Sequence, residues 1–197
     1  MPETANGNPL EIVSLTAAET SASETDDVAR ARNGDGAAFR RIVEQHQREI
    51  GRLMWRFSRD PARHAELVQD VFVQAYMGLN GYRERGPFGH WLRKIAVRVG
   101  YAHWRREKKE RHPPLNDSAT ALLAHDPEPH GAREAAEMVH RALAALPPRD
   151  RLVLTLLHLE ERSVAEIAEM TGWSRAMVKV QAWRARNKMK RLLETSR

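Results

Sequence analysis

Residues 173–191 contain Arg175, Lys179, Arg184, Arg186, Lys188, Lys190 and Arg191 and no Asp or Glu. Val178, Ala182, Ala185, Met189 and Leu192 recur through the same stretch at intervals of three and four, so a helix there packs along one stripe and is cationic on the other. A dense row of cations attracts phosphates, and a helix entering a major groove meets base edges with its N-terminal residues. That brings Arg175, Lys179 and Trp183 forward. A basic helix alone is more often a solvated face. Here the preceding segment tips the balance, because Ala168, Gly172 and Val178 fall at helix-turn-helix spacing. The small Ala lets two helices cross closely, Gly permits a left-handed turn, and Val seals the angle.

A second basic region spans residues 81–111, where Tyr82, Phe88, Trp91, Tyr101 and Trp104 interleave with Arg83, Arg85, Arg93, Lys94, Arg98 and further cations. Rings that stack on unpaired bases, beside cations that hold phosphates, suit single-stranded nucleic acid. Phe88 and Trp91 lie on or beside the apolar face that carries Leu92 and Ile95, so core packing is an equal alternative for both. Tyr82, between Gly81 and Gly86 with Arg83 and Arg85, is expected to be exposed.

Other chemistry has little foothold. The chain has no cysteine, which excludes disulfides, thiol catalysis and the usual structural zinc sites. None of its nine histidines forms an i, i+4 pair with a third ligand in view. Gly-rich phosphate loops, nucleophile elbows and paired catalytic acids are missing from the sequence. We expect no enzymatic activity, no metal and no cofactor. The longest run without a charged residue, Val71 to Tyr82, is too short to span a bilayer, and no secretory signal pattern opens the chain. Cytoplasmic location without membrane insertion is the expectation.

The elements that must hold these groups are helical, since apolar residues recur at three and four rather than two. The fold class expected is all-α, two small four-helix modules joined by a flexible linker. Residues 1–25 are read as a disordered acidic tail. The formal charge of +6 therefore understates the rest of the chain, because Glu3, Glu11, Glu19, Glu24, Asp26 and Asp27 precede the first Arg or Lys. Residues 26–111 form the first module. Its signals are Asn33-Gly34-Asp35-Gly36 as a break and cap, Asp60-Pro61 as an N-cap with proline at the first helical position, and Asn80-Gly81 as a stop. Residues 112–131, holding Pro113, Pro114, Pro127 and Pro129, are the linker. The second module, 132–197, carries Leu146-Pro147-Pro148, a capping-box pair Ser163 and Glu166, and Ser174 as the cap of the last helix.

In order along the chain, these residues resemble the extracytoplasmic-function sigma factors of bacterial RNA polymerase, in the sigma-70 family. Glu66 to Tyr76, reading ELVQDVFVQAY, is similar to the region 2 segment that docks on the polymerase clamp helices. Phe88 to Ala96, reading FGHWLRKIA, is similar to the helix that engages the minus-ten element. Leu146 to Arg151, Ser163 to Gly172, Val178-Lys179 and Arg184-Ala185-Arg186 look like region 4, which reads the minus-thirty-five element. The resemblance implies a factor that binds core RNA polymerase and directs promoter recognition, melting and transcription initiation, with promoter DNA and an anti-sigma factor as further partners. It implies polymerase contacts at Glu66, Leu67, Gln69, Asp70 and Phe72. Single-strand contacts would fall at Asn80, Tyr82, Arg83, Arg85, Phe88, Trp91, Lys94 and Arg98. Duplex contacts would fall at Arg175, Lys179, Val180, Gln181, Trp183 and Arg186. Departures stand at Arg98, where Asn is common, at Ala102, where an acid is common, and at Val180-Gln181-Ala182, where Ser-Arg-Leu is common. Gln181 loses a guanidinium contact but can pair with adenine. Two other readings compete: a free-standing helix-turn-helix regulator acting without polymerase, and a basic helical adaptor for RNA or protein.

Overall fold

The computed structural model describes residues 23–83, 86–110 and 130–195, and all regular structure among them is helical. Helix α1 is described from 23 to 32, so the last residues assigned to the tail are already helical. They are also anchored: Glu24 Oε1 lies 2.5 Å from His46 Nε2, and both oxygens of the nearly buried Asp27 accept from Arg41. The rest of the tail, 1–22, lies outside the described residues, as does most of the linker, 111–129.

Gly34, at φ +91°, turns the chain into α2 (Gly36–Met54), and Asp35 caps it by accepting from the Ala37 and Ala38 amides. Those two bonds satisfy donors that the first turn leaves unpaired. They also hold the Asp35 carboxyl below its ordinary range, Ala38's amide first and the Arg30 guanidinium next. The apolar stripe of α2 buries Ala38, Ile42, Ile50, Leu53 and Met54. Helix α3 (Pro61–Gly78) starts as its sequence dictates, with Asp60 accepting from the Arg63 amide at 2.7 Å, and it buries Leu67, Val71, Phe72 and Ala75. A single 3₁₀ turn, Leu79–Gly81, closes it.

Helix α4 (Phe88–Glu110) is the axis of the molecule. It buries Phe88, Leu92, Ile95, Ala96, Val97, Val99, Gly100 and Trp104, residues that cannot share one narrow stripe. Trp104 donates to the Phe57 carbonyl at 2.7 Å, and the two rings lie 4.5 Å apart. Glycine at position 100 makes this approach possible, since a Cβ there would come within 2.3 Å of the Phe57 ring.

The second module contains α5 (His130–Ala144), beginning inside the stretch read as linker, then α6 (Pro148–Leu154) continued by a π-turn through Leu159. Helix α7 (Val164–Thr171) has the full capping box: the Glu166 amide donates to Ser163, and the Ser163 amide donates back to the Glu166 carboxylate. Gly172, at φ +73°, provides the left-handed residue between α7 and α8 (Arg175–Thr195), and its amide bonds the Ala168 carbonyl at 2.9 Å. Val178 is fully enclosed behind that turn.

The two modules, expected to be joined by a flexible linker, pack together. The buried cluster around Ile42, Leu67 and Leu92 runs without a break into Leu152, Leu156, Ile167 and Val178. The outer face of α4 supplies the seam. Tyr101 meets Trp173 edge-on at 6.3 Å, and the Arg151 guanidinium sits 4.0 Å from the centroid of the Trp104 ring. Ion pairs Arg56–Glu160 at 2.8 Å, Lys94–Glu169 at 2.6 Å and Arg59–Glu137 at 3.1 Å rim the contact. A helix apolar on more than one side must be covered twice. Within one polypeptide the second module is the nearest cover.

Gly100→Ala forces its methyl into the Phe57 ring. Overpacking of this kind costs on the order of 1–3 kcal/mol, so the variant should unfold at lower denaturant concentration with an unchanged slope, measured by circular dichroism.

Candidate nucleic-acid interface

Helix α8 meets solvent with a cationic surface. The Ser174 hydroxyl accepts from the Met177 amide at 3.1 Å and fixes its first turn. Val178, Ala182 and Ala185 pack inward, while Arg175, Lys179, Val180, Trp183, Arg184 and Arg186 are all exposed. Gln181 is a correction to the sequence reading. Its side chain is buried, and its amide donates to Asp150 Oδ1 on α6. Lys188 Nζ reaches the other oxygen of the same carboxylate at 2.5 Å. A carboxylate 1 % exposed needs such donors, because burying an unpaired charge is strongly unfavourable. Gln181 thus holds α8 against α6. Asp150 escaped the sequence reading, since an acid after Pro147-Pro148 looks like a helix-start residue and carries no local sign of its distant partners. Arg149 lies over the Trp173 ring, 5.0 Å from its centroid, and braces the turn from the other side.

In the first module the aromatic residues form a closed group. Tyr82, expected outside, is buried: its hydroxyl donates to the Gly86 carbonyl at 2.6 Å. Its ring lies 5.3 Å from both Phe88 and Trp91. Phe88, 2 % exposed, is core. Trp91 is half-buried, its ring edge against Gly78. In this arrangement Tyr82 and Phe88 are both buried among the neighbouring rings. Asn80, Arg83 and Arg98 are exposed, Lys94 is half-buried in its pair with Glu169, and Arg85 lies outside the described residues. Lys94, as hydrogen-bond donor and neighbouring charge, holds the Glu169 carboxyl below its usual value.

The residues assigned to polymerase differ in exposure. Glu66, Gln69 and Asp70 are exposed, but Leu67 is interior at 2 %, and Phe72 forms the floor of a groove rather than its rim. That groove, of about 970 Å³, runs between α2 and α3 and is lined by Phe39, Val43, Val68, Val73, Tyr76 and Met77. Val73, Tyr76 and Met77 stand exposed along it, Met77 most of all at 78 %. Sequence reading missed them because it sought the inward stripe of α3. The signal was available as a second apolar row, Val73 and Met77, four residues apart. A second apolar groove, of about 1300 Å³, lies between α5, α6 and α8, with Met138, Val139 and Leu193 exposed on it.

Burial acts on the histidines near the seam. His140 is pushed down to about 4, by desolvation first and then by Arg59, Arg151 and Arg56. His103 is lowered by burial as well. Among the described residues, no cluster of three or more His, Asp or Glu side chains could hold a metal ion, and no helix is long and apolar enough to cross a membrane.

Comparison with known proteins agrees with this geometry. Residues 42–110 match the model of sigma-70 region 2, and residues 136–189 match that of sigma-70 region 4. The ECF RNA polymerase sigma factor SigM of Mycobacterium tuberculosis is 30% identical over 165 residues, covering 81% of this chain and 79% of the relative. The chain belongs to the sigma-70 family. Its relatives place it among the extracytoplasmic-function members: the ECF RNA polymerase sigma-E factor of Escherichia coli is 29% identical over 173 residues, covering 81% of this chain and 88% of that protein. Two solved structures share the fold. CnrH in complex with the cytosolic domain of CnrY aligns over 89% of this chain and 99% of its own, with a TM-score of 0.60 and 24% identity. RpoE of Bartonella quintana in complex with the anti-sigma factor NepR aligns over 81% and 98%, with a TM-score of 0.58 and 20% identity. This sigma factor is therefore a polymerase-associated, promoter-directing transcription factor of a family without catalytic activity, and the free-standing regulator gains no support. The region 2 match takes in most of α2 and all of α3 and α4, and the region 4 match ends within α8.

The Asp150 anchor yields a test. Asp150→Ala leaves the Gln181 amide and the Lys188 ammonium without their acceptor, at a cost of about 1–3 kcal/mol. Chemical unfolding should register that loss, while Gln181→Ala in the same background should add little, because the two share one interaction.

Proposed function

We propose that α8 reads the duplex minus-thirty-five element, with Arg175, Lys179, Val180, Trp183 and Arg186 facing the major groove. The exposed cationic face of α8 behind a Gly172 turn carries this reading. Helix α4 and the segment before it receive melted bases of the minus-ten element, using Asn80, Arg83, Arg98, the exposed edge of Trp91, and Lys94 once its pair with Glu169 opens. Residues 23–110 and 130–195 act as the two promoter-binding modules, joined by the proline-bearing segment between them. Phosphate contacts on both modules would add, since one factor held on polymerase binds two elements at a high effective concentration.

Polymerase docks on the α2–α3 groove, where Val73, Tyr76 and Met77 offer apolar anchors beside Gln69 and Asp70. An anti-sigma factor competes for apolar grooves of this kind. Both solved neighbours are complexes, the sigma factor RpoE with an anti-sigma factor named NepR and CnrH with the cytosolic domain of CnrY. The factor acts in the cytoplasm, where polymerase and DNA are.

Reconstitution with core RNA polymerase, followed by promoter-dependent run-off transcription, tests the assignment. Met77→Glu should abolish co-purification with core, because it places a charge in an apolar contact. Arg175→Ala and Lys179→Ala should retain core binding yet lose roughly tenfold in promoter affinity, the scale of one or two lost groove contacts. Unchanged promoter binding in both would remove α8 from the role.

The seam generates a separate expectation. Glu169→Lys replaces the partner of Lys94 with a like charge at the edge of α4. An exposed pair is worth up to about 1 kcal/mol, so affinity of the factor without polymerase for a labelled single-stranded DNA should rise by roughly two- to fivefold. Fluorescence anisotropy would report it.

A further inference from the structure

The exposed face of α8 is not uniformly charged. At 100° per residue, Ala176, Val180 and Trp183 form one continuous strip at spacings of four and three. All three are exposed, Val180 at 49 % and Trp183 at 64 %. Arg175, Lys179 and Arg186 run along one side of the strip, and Arg184 and Arg191 along the other. Two cationic rows flanking an apolar centre match a major groove, whose two phosphate backbones flank the base edges. In that docking the strip faces the floor.

The floor presents a limited set of groups to it. Among the major-groove edges, the C5 methyl of thymine is the apolar one. Adenine N6 and N7 call for Asn or Gln, and cytosine N4 calls for an acid. Residues 175–184 expose none of these, because their only amide, Gln181, is buried and bonded to Asp150. Water-exposed apolar area of this size in a cationic field gains free energy only if something apolar covers it on binding.

We propose that Val180 and Trp183 select the upstream promoter element by covering thymine methyl groups, so that A·T pairs are read through their thymine and not through adenine. Guanine is left to Arg175 and Lys179. Val180, one helical turn in from Ala176, covers the methyl nearer the start of α8. Trp183 covers one on the adjacent step. The proposal rests on the reading that α8 is the duplex reader, and names the groups it recognises.

The test uses the full chain bound to core polymerase and a duplex library with a randomised upstream segment. Recovered duplexes are resynthesised with deoxyuracil replacing each thymine in turn, which removes the methyl and keeps O4 and the base pair. One methyl left uncovered corresponds to roughly a three- to fivefold loss in affinity, expected at one or two positions for the unmodified factor. Val180→Ala should bind the thymine duplex more weakly by the same factor and become indifferent to uracil at one position. Trp183→Ala should do so at another. Both substitutions are on the surface, and circular dichroism should show unaltered helix content.

Uracil tolerance at every position, a recovered element lacking thymine, or variants as uracil-sensitive as the parent would overturn the proposal while leaving α8 as the reader. Failure of the broader assignment looks different: a bound element whose affinity ignores both Arg175→Ala and Lys179→Ala, or no enrichment of the upstream segment at all.

Discussion

Everything else in this molecule depends on the double burial of α4. One side packs into the first module through Leu92, Ile95 and Val99, with Trp104 bonded to the Phe57 carbonyl and Gly100 giving the ring room. Burying an aliphatic side chain of this size stabilises the fold by roughly 1.5–3 kcal/mol, and α4 contributes several. The same helix turns Val97 and Tyr101 toward Leu156, Met170 and Trp173 of the second module. One helix thus builds a core and closes a seam. It is also the helix with which the region 2 match ends.

Charge follows a division of labour that burial explains. Buried or half-buried ions have defined partners: Asp27 with Arg41, Asp150 with Gln181 and Lys188, Glu49 with Arg93. These pairs orient helices, since removing one partner would leave a charge in a poorly solvated place. Exposed cations on α8 are different. Arg175, Lys179, Arg184 and Arg186 stand in solvent on a surface with no acid before Glu194. Their mutual repulsion is tolerated because solvent and salt screen it. It is relieved when phosphates replace counterions.

Local signals in the sequence were legible where the physics is local. Asp60 before Pro61, Ser163 with Glu166, and Gly172 each satisfy a helix end within a few residues, and the structure realises all three. Helical periodicity likewise exposed the stripe of α8, because the packing partner does not alter which residues share a face. Tyr82 failed for the opposite reason. Its flanking glycines and arginines describe a loop, but its burial depends on Phe88 and Trp91 closing over it. Gln181 and Asp150 are 31 residues apart, and no spacing rule connects them. Leu67 and Phe72 sit in a segment for which the resemblance implies contact, yet α3 presents Gln69, Val73 and Met77 outward, keeps Leu67 inside and leaves Phe72 at the floor of the groove. The modules' mutual packing was hidden in the extra apolar width of α4, which reads equally well as a generous single core.

The seam between modules combines an apolar contact with a rim of ion pairs. Its rim consists of ion pairs with at least one exposed or half-exposed partner, Lys94–Glu169 among them, each worth little in water. Its apolar part joins Val97 to Leu156 and Met170, and amphipathic groups flank it: Tyr101, Trp173 and Arg151 over Trp104. Side chains of that type lose less on exposure than Leu or Ile, because their polar ends are already hydrated. A polymerase surface that covers the α2–α3 groove and the groove between α5, α6 and α8 at once would need the modules at a spacing the polymerase sets. Were that spacing different from the one seen here, the contacts made at the two apolar grooves would have to offset the loss of the seam, and Lys94 and the far face of α4 would then be open to DNA. Coupling of this kind needs no signal carried through the helices. It would follow from one helix having two covers.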